Sequence, residues 1–442
     1  MSRIFLLDAF IYNLGMADTQ FWWKNAKIYE LYVDKFAGNV KELTHNLDYF
    51  GILGVNTLHV LPHYPSPMVD DGYDISDYRG VREELGTLED FKNFLVAARS
   101  KGLRVIIDLV INHTSDTHPW FVEARSSRDN PKRDYYLWSD TGTEFGGATN
   151  AFPTIKPRNW IPNDATGDRY FATFYPTQPD LNWNNPAVFA EMISIMEYWA
   201  AMGVDGFRID AAAHLVKREG TACRDLPETH DVLKRIRARL EKDHLDVILL
   251  AEATRDSVKY FGVGDECHMV YHFPLMREMW IALMKGELSR LEAMADQMKD
   301  LPANCAWATF LRNHDEISLR DIDPDTHAQL LTFLDPEAHF MLGSDPAVRV
   351  ATVFGGDREK ILTAFKMLYA QHGSPVMYYG DEIGMPNLEL LQGIQDARKY
   401  VRGDFDWAEA SKQMKDPISL FNKTAAIIHG SLVPETIPSV AA

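Results

Sequence analysis

The chain has 442 residues, of which 46% are hydrophobic and 24% charged, a balance typical of folded globular proteins and not of disordered ones. Its 45 Lys and Arg stand against 63 Asp and Glu, and the formal net charge of −18 repels nucleic acid and anionic membrane, so a neutral small molecule is the better-fitting partner. Aromatic residues make up 12% of the chain, chiefly core material and also flat faces on which a ligand can stack.

At the N-terminus the run from Ile4 to Met16 is apolar, but Asp8 and Asn13 interrupt it and no small-residue cleavage site follows, so a signal peptide is not expected. No later stretch has the uninterrupted apolar length that crossing a bilayer requires. Cys223, Cys267 and Cys305 are an odd number at wide spacings, which predicts neither a disulfide framework nor a zinc site and points to a reducing, cytoplasmic setting.

Short runs rich in Val and Ile predict strands at Ile28–Val33, Val55–Leu61, Leu103–Ile111, Val204–Ile209, Val247–Ala251, Ala306–Leu311 and Pro375–Tyr379. Helical patterns separate them. In Leu88–Ser100 the residues Phe91, Phe94, Leu95 and Ala98 recur at helical spacing, and Pro186–Met202 opens on a first-turn proline. Such β–α units predict a parallel sheet wrapped by helices. Acids close the strands at Asp108, Asp210, Glu252 and Asp315, which favours a (β/α)8 TIM barrel, whose active site lies at the C-terminal strand ends. A doubly wound open sheet is the rival, weakened because no Gly-rich phosphate fingerprint follows the early strands. Between His113 and Asn182 the periodicity breaks over a length too great for an ordinary loop, so residues 113–182 are read as an inserted subdomain. Residues 1–112 and 183–432 then form the barrel, with Ile418–Ile428 as its last helical pattern and 433–442 as a tail.

Four strand-end clusters carry the chemistry: Asp108-Leu-Val-Ile-Asn112-His113, Gly206-Phe-Arg208-Ile-Asp210, Glu252-Ala253 and Asn313-His314-Asp315. Acids gathered at strand ends can divide the roles of ionised nucleophile and protonated acid only where their environments differ. Arg208, two residues before Asp210 and on the same strand face, is placed to hold Asp210 ionised, while Asp315 is expected to crowd Glu252 and raise its pKa. The structural alternative is a buried ion-pair network, with His113 and His314 as satisfied core histidines.

In type, order and placement these clusters resemble the α-amylase superfamily, from about Phe21 to Ile428. The resemblance implies that Asp210 is the nucleophile, Glu252 the acid/base and Asp315 a transition-state-stabilising carboxylate, with Arg208, His113 and His314 as substrate-binding helpers. It places an aromatic platform at Tyr73 within Asp70-Asp-Gly-Tyr-Asp74. It also pairs Asp70 with Arg402, of Arg402-Gly-Asp-Phe-Asp-Trp407, to close the pocket around a terminal glucose. Asn112, Asp180 and the His214 carbonyl match positions that ligate calcium in the superfamily, oxygen donors suited to a hard cation. No organic cofactor is implied. The short segment Val33–Val40 lacks the Asp/Asn-rich loop of a second metal site.

Gln178-Pro-Asp-Leu-Asn182 resembles a marker of the α-glucosidase and trehalose synthase branch, as do the long segments Gly220–His230 and Gly264–Met276, expected as loops forming a lid. The implied substrates are short α-glucosides, with maltose–trehalose interconversion by double displacement as the expected reaction. Hydrolysis by an α-glucosidase and a catalytically silent sugar-binding or assembly subunit are the alternatives. The superfamily's C-terminal β-sandwich has no counterpart after Ile428, so the expectation is either a minimal enzyme or a substrate environment completed from elsewhere, by a second copy or a partner subunit.

Overall fold

Runs of Val, Ile and Leu that are apolar at successive positions bury both faces of a strand, the condition for a parallel sheet covered by helices. In the computed structural model, which describes residues 21–391 and 393–430, these runs become buried strands. Ile4–Met16 and the tail 433–442 lie outside the described residues. In chain order the strands are β1 (Ile28–Leu31), β2 (Thr57–Val60), β3 (Arg104–Val110), β4 (Trp138–Ser139), β5 (Trp160–Asn163), β6 (Asp168–Phe171), β7 (Gly206–Asp210), β8 (Ile248–Ala251), β9 (Met269–Tyr271), β10 (Ala306–Phe310), β11 (Met341–Leu342), β12 (Asp345–Pro346) and β13 (Ser374–Tyr378). The barrel closes in the order β1-β13-β10-β9-β8-β7-β3-β2, and every neighbouring pair is parallel. This is a (β/α)8 TIM barrel.

Helix Leu88–Ser100, between β2 and β3, buries Phe91, Phe94, Leu95 and Ala98, as their spacing predicts. Thr87 and Asp90 cap it reciprocally. Helix Pro186–Met202 starts on the Asn185 cap and ends at Gly203, whose φ of +110° is a left-handed stop that a residue with a Cβ resists. The chain then enters β7 at Gly206, where an added Cβ would lie 2.5 Å from Ile248 Cγ1 on β8. The strand carrying Arg208 and Asp210 is therefore packed tightly at its root.

Between β3 and β7 the chain builds helix Pro119–Ser126 and a small antiparallel sheet in the order β4-β6-β5. A bridge between His113 and Asp180 ties the end of this excursion to the end of β3. Between β10 and β13, β11 and β12 form a short antiparallel pair.

Three expectations are corrected. The sixth barrel strand, β9, is only three residues long, too short for a periodic signal, and Gly264–Met276 holds it together with the start of helix Phe273–Lys285. That segment is buried barrel wall, not a lid. Gly220–His230 likewise enters helix Pro227–Leu240, leaving only 220–226 as irregular chain. Helix Trp407–Lys415 precedes Leu420–Ile428, the only helix expected in this region from the sequence. No helix among the described residues is long and apolar enough to cross a membrane.

Candidate active site

A cavity of about 410 Å³ opens among the C-terminal strand ends, and its lining includes Asp70, Tyr73, His113, Asp210, Glu252 and Asp315. Asp210 ends β7, Glu252 follows β8, and Asp315 follows β10. Alternation along β7 puts Arg208 on the same face as Asp210. The fully buried Arg208 guanidinium gathers three acids: Nη1 lies 3.0 Å from Asp108 Oδ1 and also donates to Asp210 Oδ1, while Nη2 lies 3.0 Å from Glu252 Oε2. The Ala211 amide donates to Glu252 Oε2 at 2.9 Å. One cation therefore bridges the two expected catalytic carboxyls, an arrangement suited to the separation of about 5 Å used by retaining glycosidases.

The electrostatics differ from the sequence expectation. Burial pushes the Asp210 carboxyl well above its ordinary range, Arg208 opposes the shift, and the nearby Glu252 and Asp108 carboxylates reinforce it. Asp315 carries its own compensation. Against the cost of burial, His314, Arg398 and Arg402 hold its carboxyl well below the usual range, with His314 Nε2 at 3.1 Å, Arg398 Nη1 at 3.3 Å and Arg402 Nη2 at 3.0 Å.

His314 is caught between two acids, with Nδ1 3.0 Å from Glu30 Oε1 and Nε2 facing Asp315. Burial disfavours its charged form, but Asp315 and Glu30 outweigh this and lift it to about 9. The Tyr73 hydroxyl donates to Asp108 Oδ2 at 2.8 Å, and its ring stacks on His314 at 5.3 Å. His113 differs. Burial keeps it neutral, down at about 4, and its buried Nε2 has no protein partner while the residue lines the cavity, the condition of a group reserved for a ligand hydroxyl.

Asp70 does not pair with Arg402. Its Oδ1 receives Arg398 Nη2 at 2.8 Å and its Oδ2 receives Gln178 Nε2 at 2.9 Å, while Arg402 turns to Asp71 and Asp315. The partner of Asp70 is therefore Arg398, itself gripped by Asp396 at 2.7 Å. The two arginines stand four positions apart, and only the path of the chain through the turn Ala397–Val401 selects between them.

The calcium expectation is also corrected. Asn112, Asp180 and the His214 carbonyl do converge, but around the Lys217 ammonium, which lies 3.0 Å from Asn112 Oδ1 and 2.7 Å from Asp180 Oδ2 and donates to the His214 carbonyl. A dication would have to displace a buried cation that already satisfies these donors, so the donor set does not fit calcium. Among the described residues no cluster of three His, Cys, Asp or Glu side chains is arranged to hold a metal.

Two supporting residues escaped sequence reasoning. Glu30 on β1 and His59 on β2 continue the buried network, with His59 Nδ1 3.1 Å from Glu30 Oε2 and Nε2 3.3 Å from Asp108 Oδ2. Their signal was present, since a charged or ionisable residue inside an apolar strand run requires a partner.

Residues 13–323 match the model of the alpha-amylase catalytic domain. The chain is 40% identical over 399 residues to a trehalose synthase of Thermus thermophilus, covering 88% of this chain and 41% of that protein. It is 39% identical over 400 residues to a trehalose synthase/amylase of Mycolicibacterium smegmatis, covering 87% of this chain and 67% of the relative. A crystal structure of a trehalulose synthase variant in complex with Tris superimposes with a TM-score of 0.74 at 26% identity, over 95% of this chain and 85% of that one. The chain thus spans about two fifths of the length of the Thermus relative.

Proposed function

Because the chain belongs to the alpha-amylase catalytic-domain family, we propose that it is a retaining α-glucosyltransferase acting on short α-glucosides and interconverting maltose and trehalose. The observation that carries this reading is the single Arg208 guanidinium bridging Asp210 and Glu252 at a pocket whose end is closed by Asp70 and Arg398.

Glu252 donates a proton to the glycosidic oxygen while Asp210 attacks the anomeric carbon from the opposite face. The product is a β-glucosyl ester on Asp210 and a free glucose. Asp315, held ionised by His314 and two arginines, supplies fixed negative charge for the oxocarbenium-like transition state. His113 Nε2 and the Asp70–Arg398 pair provide donors and acceptors for the hydroxyls of the terminal glucose. In the second half the retained glucose turns, its anomeric hydroxyl gives a proton to Glu252, and its oxygen attacks the anomeric carbon of the glucosyl-enzyme, releasing the Asp210 carboxylate and giving trehalose. Holding the acceptor in a confined pocket gives it an effective concentration that competes with water.

The three cysteines are all buried and unpaired, and we place the enzyme in the cytoplasm on that basis. Chromatography of a maltose digest tests the reaction: trehalose should be the larger product and glucose the smaller. Glucose alone at every time point would instead identify an α-glucosidase, in which water takes the glucosyl group.

A further inference from the structure

The cavity has a second end. Beyond Glu252 it is lined by Arg224, Thr254, Ser318, Arg320 and Ser344. The Arg224 side chain is only 9% exposed. Its Nε lies 3.0 Å from Asp225 Oδ2, and Nη2 donates to the Thr254 hydroxyl. The other oxygen of Asp225 accepts the Tyr260 hydroxyl at 2.6 Å, and the Asp225 amide donates to the Ala213 carbonyl at 2.9 Å. On either side of Arg224 the backbone is left-handed at residues other than glycine, with φ of +50° at Cys223 and +53° at Asp225. Such strain persists only where the surroundings impose it, and it clusters at ligand sites. Here it presents one guanidinium to the cavity.

Arg320 stands at the same end. Its side chain is 42% exposed, and its Nε lies at a distant 3.8 Å from Asp345 Oδ2. Both arginines bear on the His214 ring, which burial drives well below its usual range with Arg224, Lys217, Arg320 and His113 adding to the effect. Asp225 already pairs with Arg224 through Nε, while the other acids facing this end are poorly disposed to neutralise the two cations. Burial pushes Glu316 up to about 7, with Asp315 adding to the shift, and burial likewise raises Asp345, which accepts the Leu319 amide at 3.0 Å. A neutral sugar does not call for two guanidinium groups in a chain of net charge −18.

We propose that this outer end binds a small hydroxylated anion, a hydroxy acid or a phosphate monoester, as an alternative glucosyl acceptor held by Arg224 and Arg320. Forked N–H donors match the paired oxygens of a carboxylate or phosphate. Thr254 lies two residues beyond Glu252, roughly 7 Å along an extended chain, so a three-carbon acceptor reaches from the arginines to the acid/base. The inference rests on the glucosyl-transfer reading above. In the step itself the acceptor hydroxyl oxygen attacks the anomeric carbon of the glucosyl group, the bond from that carbon to the Asp210 oxygen breaks with its electron pair returning to the carboxylate, and the hydroxyl proton passes to Glu252.

A competition assay tests this. The protein is given 4-nitrophenyl α-glucoside as donor with equimolar glycerol and glycerate, and the two glucosylated products are quantified from one digest, so their ratio is independent of the amount of active enzyme. Glucosylglycerate should exceed glucosylglycerol by at least about tenfold. Arg224→Gln and Arg320→Gln should each bring the ratio toward one, and the corresponding Lys variants should restore part of it. A second digest with glycerol 3-phosphate in place of glycerate tells whether carboxylate or phosphate is the preferred anion. A parent ratio near one in both digests, or a ratio unmoved by both Gln variants, overturns the proposal. Failure to release nitrophenolate would instead remove the glucosyl-transfer reading, and this inference with it.

Discussion

Asp210 and Glu252 are the same functional group twice, and their different duties arise because each meets Arg208 from a different strand. Asp210→Asn should lower turnover of maltose by at least about a thousandfold, since an amide does not form the ester. Glu252→Gln should lose maltose activity while keeping far more activity on 4-nitrophenyl α-glucoside, whose leaving group needs no proton. Steady-state rates on the two donors check both, and equal losses for Glu252→Gln would contradict its role as acid. His314 gives a pH prediction. Its ordinary value is near 6.5, and in the fold Asp315 and Glu30, outweighing burial, raise it to about 9. A raised value means that its stabilising contribution is complete below about pH 6.5 and is lost as pH rises through about 9. Melting temperature should therefore fall across that window in the parent, and the same fall should be smaller in His314→Gln.

At the level of elements, the irregular chain after β7 does the work first assigned to a metal. Lys217 reaches back to Asn112 at the end of β3 and to Asp180 at the end of the inserted excursion, joining the two by a buried ammonium. Lys217→Ala leaves the fully buried Asp180 carboxylate without its cation, and removing one partner of such a pair costs about 3–5 kcal/mol. The parent should melt identically with calcium or with a chelator, whereas Lys217→Ala should be destabilised and should recover part of the loss on adding calcium. A chelator-sensitive parent would contradict this account. At the root of β7, Gly206→Ala forces a Cβ against Ile248, and overpacking of this kind costs about 1–3 kcal/mol, measurable by chemical denaturation.

At the scale of the whole molecule, one end of the cavity is shut by Asp70, Gln178 and Arg398, which come from the β2–β3 connection, the insertion and the chain after β13. A pocket closed in this way admits the end of a glucan and excludes its interior. Amylose viscosity should stay constant while maltose is consumed, and a rapid fall would rule out the closed pocket. Arg398→Gln should reduce kcat/KM for maltose by about 2 kcal/mol or more, because Asp70 is then left buried with one ligand fewer.

The sequence by itself determined the barrel and the acids at its strand ends. Short, largely apolar strand segments with acids at or just beyond their C-terminal ends are local patterns, so β7, β8 and β10 with Asp210, Glu252 and Asp315 were legible without coordinates. Strand β9 was not, because three residues carry no period and a closed barrel imposes strand geometry on whatever segment fills the gap. The choice of Arg398 over Arg402 for Asp70, and of an ammonium over calcium between Asn112 and Asp180, was decided only by tertiary structure. In each case the competing partners are alike in charge, and which of them arrives is set by turns that bring distant segments together. The shift of the raised pKa onto Asp210 has the same origin, since burial and the summed field of several strands are properties of the assembled barrel.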